Sequence, residues 1–290
     1  MNQVLMRSIN TSLAAVLPVL SLLILGSWIL GAVALQEFAL ALLVGTVLFG
    51  SITLLAELLG RPHGPQSIYA KTPRWWASWL LGAAGVKVVV HDEPFLPEGA
   101  PRVFMANHVS WFDIPSMIAA LPHYGFVAKR ELEKIPFFGP AARAVGVIYI
   151  DRENRQAAFS AYEDAASKIR AGHHVLVYPE GTRGFTYALR PFKKGPFVMA
   201  IGAGAPIVPV VVYGTIAVNP RTEFRASPGT VHVHLLEPVP TAGLTYADRD
   251  ELAERVRQRM ADCLRAHYGV DPAIEPSRRA APVEAEQASA

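Results

Sequence analysis

The sequence predicts an α/β fold: a largely parallel central sheet covered by helices, preceded by an N-terminal hydrophobic helical hairpin. Three observations carry this. From residue 86 onward, short and nearly continuous apolar runs alternate with segments of helical periodicity, the pattern of strands buried on both faces and joined by crossover helices. Polar clusters stand directly behind several of these runs, at the carboxyl ends of strands, where ligands gather in such sheets. Ahead of them lie two long charge-free stretches.

The N-terminal stretches are read first. The chain has 290 residues, 51% of them hydrophobic, and a mean hydropathy of +0.26, high for a soluble protein. No charge occurs in residues 8–36 or 38–56, and only Glu37 separates them. At about 1.5 Å per helical residue, each run crosses roughly 30 Å of hydrocarbon. A signal peptide has a shorter apolar core and is not followed at once by a second one. Arg7 precedes the pair and Arg61, Lys71 and Arg74 follow it, which places both ends in the cytoplasm. Residues 1–60 are therefore expected to form a membrane-anchoring hairpin. Pro18 and several glycines also permit a hairpin that dips into one leaflet, and the pattern does not choose between the two.

The formal charge of +3 and the pI near 9.0 are too modest for a nucleic-acid footprint, so no nucleic-acid partner is expected. Basic residues beside apolar helices suit anionic lipid headgroups. Cys263 is the only cysteine, which excludes an intramolecular disulfide and a Cys-based metal cage and agrees with a cytoplasmic catalytic face.

Within residues 61–85, Arg61 to Thr72 reads as a linker, with Pro62, Gly64, Pro65 and Lys71, leading into an interfacial helix from Pro73. In that helix Trp75, Trp76 and Trp79 stand beside Arg74, the composition of a headgroup boundary; the competing reading packs the rings in the core. Residues 86–268 form the main domain. Strand-like runs fall at 86–90, 103–106, 125–128, 147–150, 175–178, 207–212 and 231–235. A helix is expected over 154–172 from the spacing of Phe159, Tyr162, Ala166 and Ile169, with Asn154 as N-cap and Gly172 as stop. Leu252, Val256, Met260 and Leu264 mark a late helix. Residues 269–290, rich in Ala, Pro and Glu, are expected to be disordered.

The first polar cluster is Asn107-His108-Val109-Ser110-Trp111-Phe112-Asp113. A histidine with a carboxylate five residues later offers a general base and its orienting partner. On one helix the two would differ by about 140°, so they meet only if His108 lies in the turn before a helix. Pro115, tolerated in a first turn, supports that placement and makes Asp113 an N-cap. A capping box between Ser110 and Asp113 is the structural alternative.

The second cluster, Tyr178-Pro179-Glu180-Gly181-Thr182-Arg183-Gly184, offers backbone N–H groups, a hydroxyl and a guanidinium fork suited to a phosphate monoester. It also reads as a turn with an ion pair between Glu180 and Arg183. Lys129-Arg130-Glu131-Leu132, Gly146 to Arg152, and Phe192-Lys193-Lys194-Gly195 place further basic residues near strand ends and a helix start. His232 and His234 share a strand face but lack supporting Cys or carboxylate spacing, so no metal site is expected.

The order of these clusters, followed by Ala205-Pro206-Ile207-Val208-Pro209-Val210, resembles the four blocks of the PlsC-type glycerolipid acyltransferases over roughly residues 86–212. Lys129-Arg130-Glu131-Leu132, Ile135-Pro136-Phe137-Phe138-Gly139 and Phe192-Lys193-Lys194-Gly195 also look like family features. Gly184 departs from the pattern where serine is frequent, as do Tyr149 and Tyr178 where phenylalanine is frequent. The resemblance implies transfer of a fatty acyl group from an acyl-CoA or acyl-carrier-protein thioester to the 2-hydroxyl of 1-acyl-glycerol-3-phosphate, at the cytoplasmic face of the cell (inner) membrane.

By that resemblance His108 and Asp113 are the catalytic pair. Lys129, Arg152, Glu180, Gly181, Thr182 and Arg183 bind substrate, with Arg183 on the phosphate. The partners implied are membrane phospholipid and lysophospholipid, together with the thioester donor; no cofactor and no metal are expected. A lyso-ornithine lipid or another lysophospholipid is the alternative acceptor, and a non-catalytic lipid-binding protein is the alternative of a different class. Ser110 raises a covalent acyl-enzyme as a competing route. The sequence does not identify the oxyanion donors, for which backbone N–H groups at the helix start near Asp113 are candidates.

Overall fold

The computed structural model describes residues 33–64, 66–91, 100–121, 125–151, 155–222 and 225–271. Every predicted apolar run is a strand: β1 Val86–His91, β2 Val103–Ala106, β3 Gly125–Lys129, β4 Ile148–Ile150, β5 Val175–Val177, β6 Ile207–Tyr213 and β7 Gly229–Leu235. They form one sheet in the spatial order β1-β7-β6-β2-β5-β3-β4. Strands β6, β2, β5, β3 and β4 run parallel, while β7 is antiparallel to β6 and β1 runs with β7. The sheet is largely parallel, as predicted, with one reversed edge.

Alternation along the central strands explains their unbroken apolarity. On β2, Val103 and Met105 enter one core and Phe104 and Ala106 the other; Val175 and Val177 on β5 oppose Leu176 in the same way. The first core is closed by helices α5 (Arg155–Arg170), α6 (Gly195–Ala203) and α8 (Arg249–Tyr268). The second is closed by α2 (Ile68–Ala83) and α3 (Asp113–Ala120). In α8 the predicted stripe Leu252, Val256, Met260 and Leu264 is buried, and Gly269 ends the helix at φ 62°. After α5, Gly172 adopts φ 97°, as a stop requires. Asn154, the predicted cap, and the tail beyond residue 271 lie outside the described residues.

The N-terminal reading changes in two places. Helix α1 (Val33–Leu58) runs straight through Glu37, the residue expected to divide the two halves of the hairpin. A helix is indifferent to one glutamate, a good helix former, where no Gly or Pro stands beside it. Residues 1–32, which hold most of the first half of the expected hairpin, lie outside the described residues. Within α1, Phe38–Leu58 is 21 residues long with mean hydropathy 2.3, enough to cross a membrane by length and composition. The linker is also shorter than read, because α2 begins at Ile68 and carries Pro73 inside it.

Helix α1 packs on α2 through small residues. Ala41, Gly45, Thr53 and Ala56 are buried, and Thr53 Oγ1 donates to Thr72 Oγ1 at 2.8 Å. The tryptophans divide between the two readings. Trp76 packs edge-on against Trp111 and donates its Nε1–H to Thr46, while Trp75 and Trp79 stay 44% and 43% exposed. Leu40, Val44, Val47 and Leu48 of α1 are exposed as well, as are Ile135 and Phe137 of the segment joining β3 to α4 (Phe138–Ala144).

Candidate active site

At one edge of the sheet the parallel strands β2, β5, β3 and β4 all end, and the polar clusters sit there in order. Asn107, the first residue past β2, is fully buried and bonds both ways to Val212 of β6: Nδ2 donates to its carbonyl at 3.0 Å and Oδ1 accepts its N–H at 2.7 Å. This fixes the point from which the chain turns toward α3. His108 lies outside the helix, as the sequence required.

His108 Nδ1 lies 2.7 Å from Asp113 Oδ2. The His108 side chain is 15% exposed and that of Asp113 is fully buried. The same carboxylate oxygen accepts the amides of Val109 at 2.7 Å and Ser110 at 2.9 Å. Asp113 is therefore neither a simple N-cap nor a complete capping box. It takes the Ser110 amide as a box would, but Ser110 Oγ accepts the amide of Phe112 instead, at 3.2 Å. With an Nδ1–H donated to Asp113, Nε2 keeps the lone pair that a general base needs.

The Glu180 block holds this histidine by its main chain. Glu180 Oε1 accepts the His108 N–H at 2.8 Å and the Gly184 N–H donates to the His108 carbonyl at 2.7 Å. The other Glu180 oxygen accepts the Arg190 amide at 3.2 Å. Glu180 is 2% exposed, so neither an ion pair with Arg183 nor a solvent-facing substrate contact describes it. Burial pushes its carboxyl up to about 8, the His108 and Arg190 amides oppose that, and the Asp113 charge adds to it. The Tyr178 ring stacks on the His108 imidazole, with centroids 4.1 Å apart.

Thr182 is exposed and Arg183 half-buried in the loop that follows. Gly181 adopts φ 75°, where a Cβ would come within 3.3 Å of Lys193 Cγ, so the loop folds tightly onto the segment before α6. The carbonyl of Arg183 accepts a hydrogen bond from the Arg221 guanidinium, which stacks 4.2 Å over Phe185. The sequence offered no signal for Arg221. Its position follows from β6 running parallel to β2 and so ending on the same side of the sheet.

Lys129 ends β3 at the same edge, two strands away from β2, and its ammonium pairs with Glu131 at 2.8 Å in solvent. Arg130 pairs with Asp151 at 3.6 Å. Arg152 lies outside the described residues. Two further expectations meet committed groups. Of the candidate oxyanion donors near Asp113, the amides of Val109, Ser110 and Phe112 are already bonded within the turn. Ser110 Oγ is buried and donates to the Asn219 carbonyl at 2.8 Å, facing away from the role of nucleophile.

A family model described as acyltransferase matches residues 87–213, the span that carries His108, Asp113, Lys129, Glu180 and Arg183. Human 1-acyl-sn-glycerol-3-phosphate acyltransferase alpha is 32% identical over 240 residues, covering 82% of this chain and 84% of that protein. This chain belongs to the PlsC-type glycerolipid acyltransferases. The 1-acyl-sn-glycerol-3-phosphate acyltransferase of Saccharomyces cerevisiae is 35% identical over 238 residues, covering 80% of this chain and 77% of that protein. The crystal structure of the 1-acyl-sn-glycerophosphate acyltransferase PlsC from Thermotoga maritima superposes with a TM-score of 0.68. It is 24% identical and covers 82% of this acyltransferase and 97% of that chain, a likeness of fold. A second family model, protein export membrane protein SecD/SecF C-terminal, matches residues 1–55, which include none of the site residues.

Proposed function

We propose that this acyltransferase moves a fatty acyl group from an acyl-CoA or acyl-carrier-protein thioester to the 2-hydroxyl of 1-acyl-glycerol-3-phosphate, giving phosphatidic acid. The observation that carries the chemistry is the 2.7 Å contact of His108 Nδ1 with the fully buried Asp113 carboxylate. An alcohol is a weak nucleophile at neutral pH. His108 Nε2 takes its proton as the oxygen attacks the thioester carbon, and Asp113 stabilises the imidazolium. The proton then goes to the departing thiolate. A base of this kind is worth roughly 10²- to 10⁴-fold in rate.

Arg183 recognises the phosphate, with Thr182 and the Gly181 amide beside it, and Lys129 adds positive charge at the same sheet edge. Glu180 serves as a positioning residue through the His108 main chain. The apolar outer surface of α1, with Trp75, Trp79, Ile135 and Phe137, seats the enzyme on the cytoplasmic face of the cell membrane. The names of the curated relatives support the acceptor; a thioester suits as donor because its thiolate is a good leaving group.

The purified full chain in detergent, given acyl-CoA or acyl carrier protein as donor, should acylate 1-acyl-glycerol-3-phosphate faster than a phosphate-free lysolipid or a lyso-ornithine lipid. Preference for a phosphate-free acceptor would overturn the assignment.

A further inference from the structure

At the reversed edge of the sheet, side chains from β7 and α8 converge. His234 near the end of β7, and Cys263 and His267 in the last turns of α8, each present a ligand atom, all within 4.8 Å of one another. Cys263 and His267 are four residues apart and so share a helix face. His234 and Cys263 are buried, at 3% and 8% exposure, while His267 faces solvent. None of the residues assigned to acyl transfer contributes to this cluster.

The surroundings hold His234 in a ligating pose. Its ring is held by Tyr268, whose Oη lies 2.7 Å from Nε2. A second ring nitrogen held by a neighbour is the usual arrangement of a metal-bound imidazole. On its other face His91 stacks at 4.4 Å, and His91 Nε2 is itself 2.9 Å from His232 Nδ1.

We propose that His234, Cys263 and His267 form a binding site for a zinc-class divalent ion, with Tyr268 orienting His234. One thiolate and two imidazoles suit such an ion and not magnesium or calcium. Tetrahedral zinc sets its ligand atoms about 3.3–3.8 Å apart, given bonds of about 2.0–2.3 Å. The cluster closes to that size by adjustment of the exposed His267. A fourth position remains for water. The bound ion tethers the last turns of α8 to β7, so its binding energy adds to the stability of the folded chain.

The test uses the full chain in detergent, stripped with a chelator and titrated with Co(II) as a spectroscopic probe. One equivalent should produce tetrahedral d–d absorption with a thiolate charge-transfer band, and Zn(II) should displace it. Cys263→Ser should abolish the charge-transfer band, and His267→Ala and Tyr268→Phe should each weaken binding by about 10-fold or more. His108→Ala should bind normally, which separates this site from the acyl-transfer pair. Absence of the thiolate band at saturating Co(II), or unchanged affinity in both Cys263→Ser and His267→Ala, would overturn the proposal.

Discussion

Glu180 grips His108 by the backbone: its Oε1 accepts the His108 amide at 2.8 Å, while its other oxygen takes the Arg190 amide. The two sequence blocks of the site are thus joined by a buried carboxyl raised from an ordinary 4.5 to about 8. A folded-state value above the unfolded one means that protonation favours the fold. That contribution is full below about 4.5 and is lost as pH rises through about 8. Glu180→Gln, which cannot ionise, should flatten the decline in melting temperature between about pH 4.5 and about pH 8 relative to the parent. Thermal melts in detergent across that window measure it.

His108 and Asp113 should separate activity from stability. His108→Ala is expected to lower turnover by roughly 10²- to 10⁴-fold with little change in melting temperature or membrane association. Asp113→Ala should lose comparable activity and also stability, because it strips the acceptor from the buried Val109 and Ser110 amides. An unsatisfied buried amide costs about 1–3 kcal/mol. Parallel rate and denaturant measurements on both variants decide it, and wild-type turnover in His108→Ala would exclude the base.

Arg183 and Lys129 should differ in weight. Loss of a charge-assisted contact to phosphate costs about 1.5–3 kcal/mol, so Arg183→Ala is expected to raise the acceptor KM by roughly 10- to 100-fold. Lys129 is half exposed and paired with Glu131 in solvent, where such a pair is worth about 0–1 kcal/mol. Lys129→Ala should change the acceptor KM by less than about 5-fold. Initial rates over a range of acceptor concentrations give both values.

The contact of α1 with α2 should depend on Gly45. A Cβ there would stand 2.7 Å from Trp79 Cδ1, and Trp79 Nε1 donates to the Ala41 carbonyl at 2.8 Å. Gly45→Leu should force the helices apart, cost about 1–3 kcal/mol of packing and raise the exposure of Trp79. Tryptophan fluorescence and melting temperature in detergent would register the change, with Gly82→Ala, which meets open space, as the control.

Much of this was written locally in the chain. The apolar runs at 86–90 and 103–106 and the five that follow are strands because near-continuous burial needs β-rich residues on both faces. The stripe from Leu252 to Leu264 is helical because its period is helical. The relation of His108 to Asp113 was legible from Pro115, since a proline so close behind marks a first turn and moves the histidine out of the helix. Residues such as Glu180, Tyr178, Gly184 and Arg221 gave no such signal for what they touch. A buried polar group takes its partner from whichever strand end the register brings beside it, and sequence separation does not encode register. The same holds for the reversed β7 edge, where His234 meets Cys263 and His267. Periodicity and turn chemistry therefore determined the elements and the pairing of His108 with Asp113, and only the assembled sheet decided which carboxyl holds His108 in place.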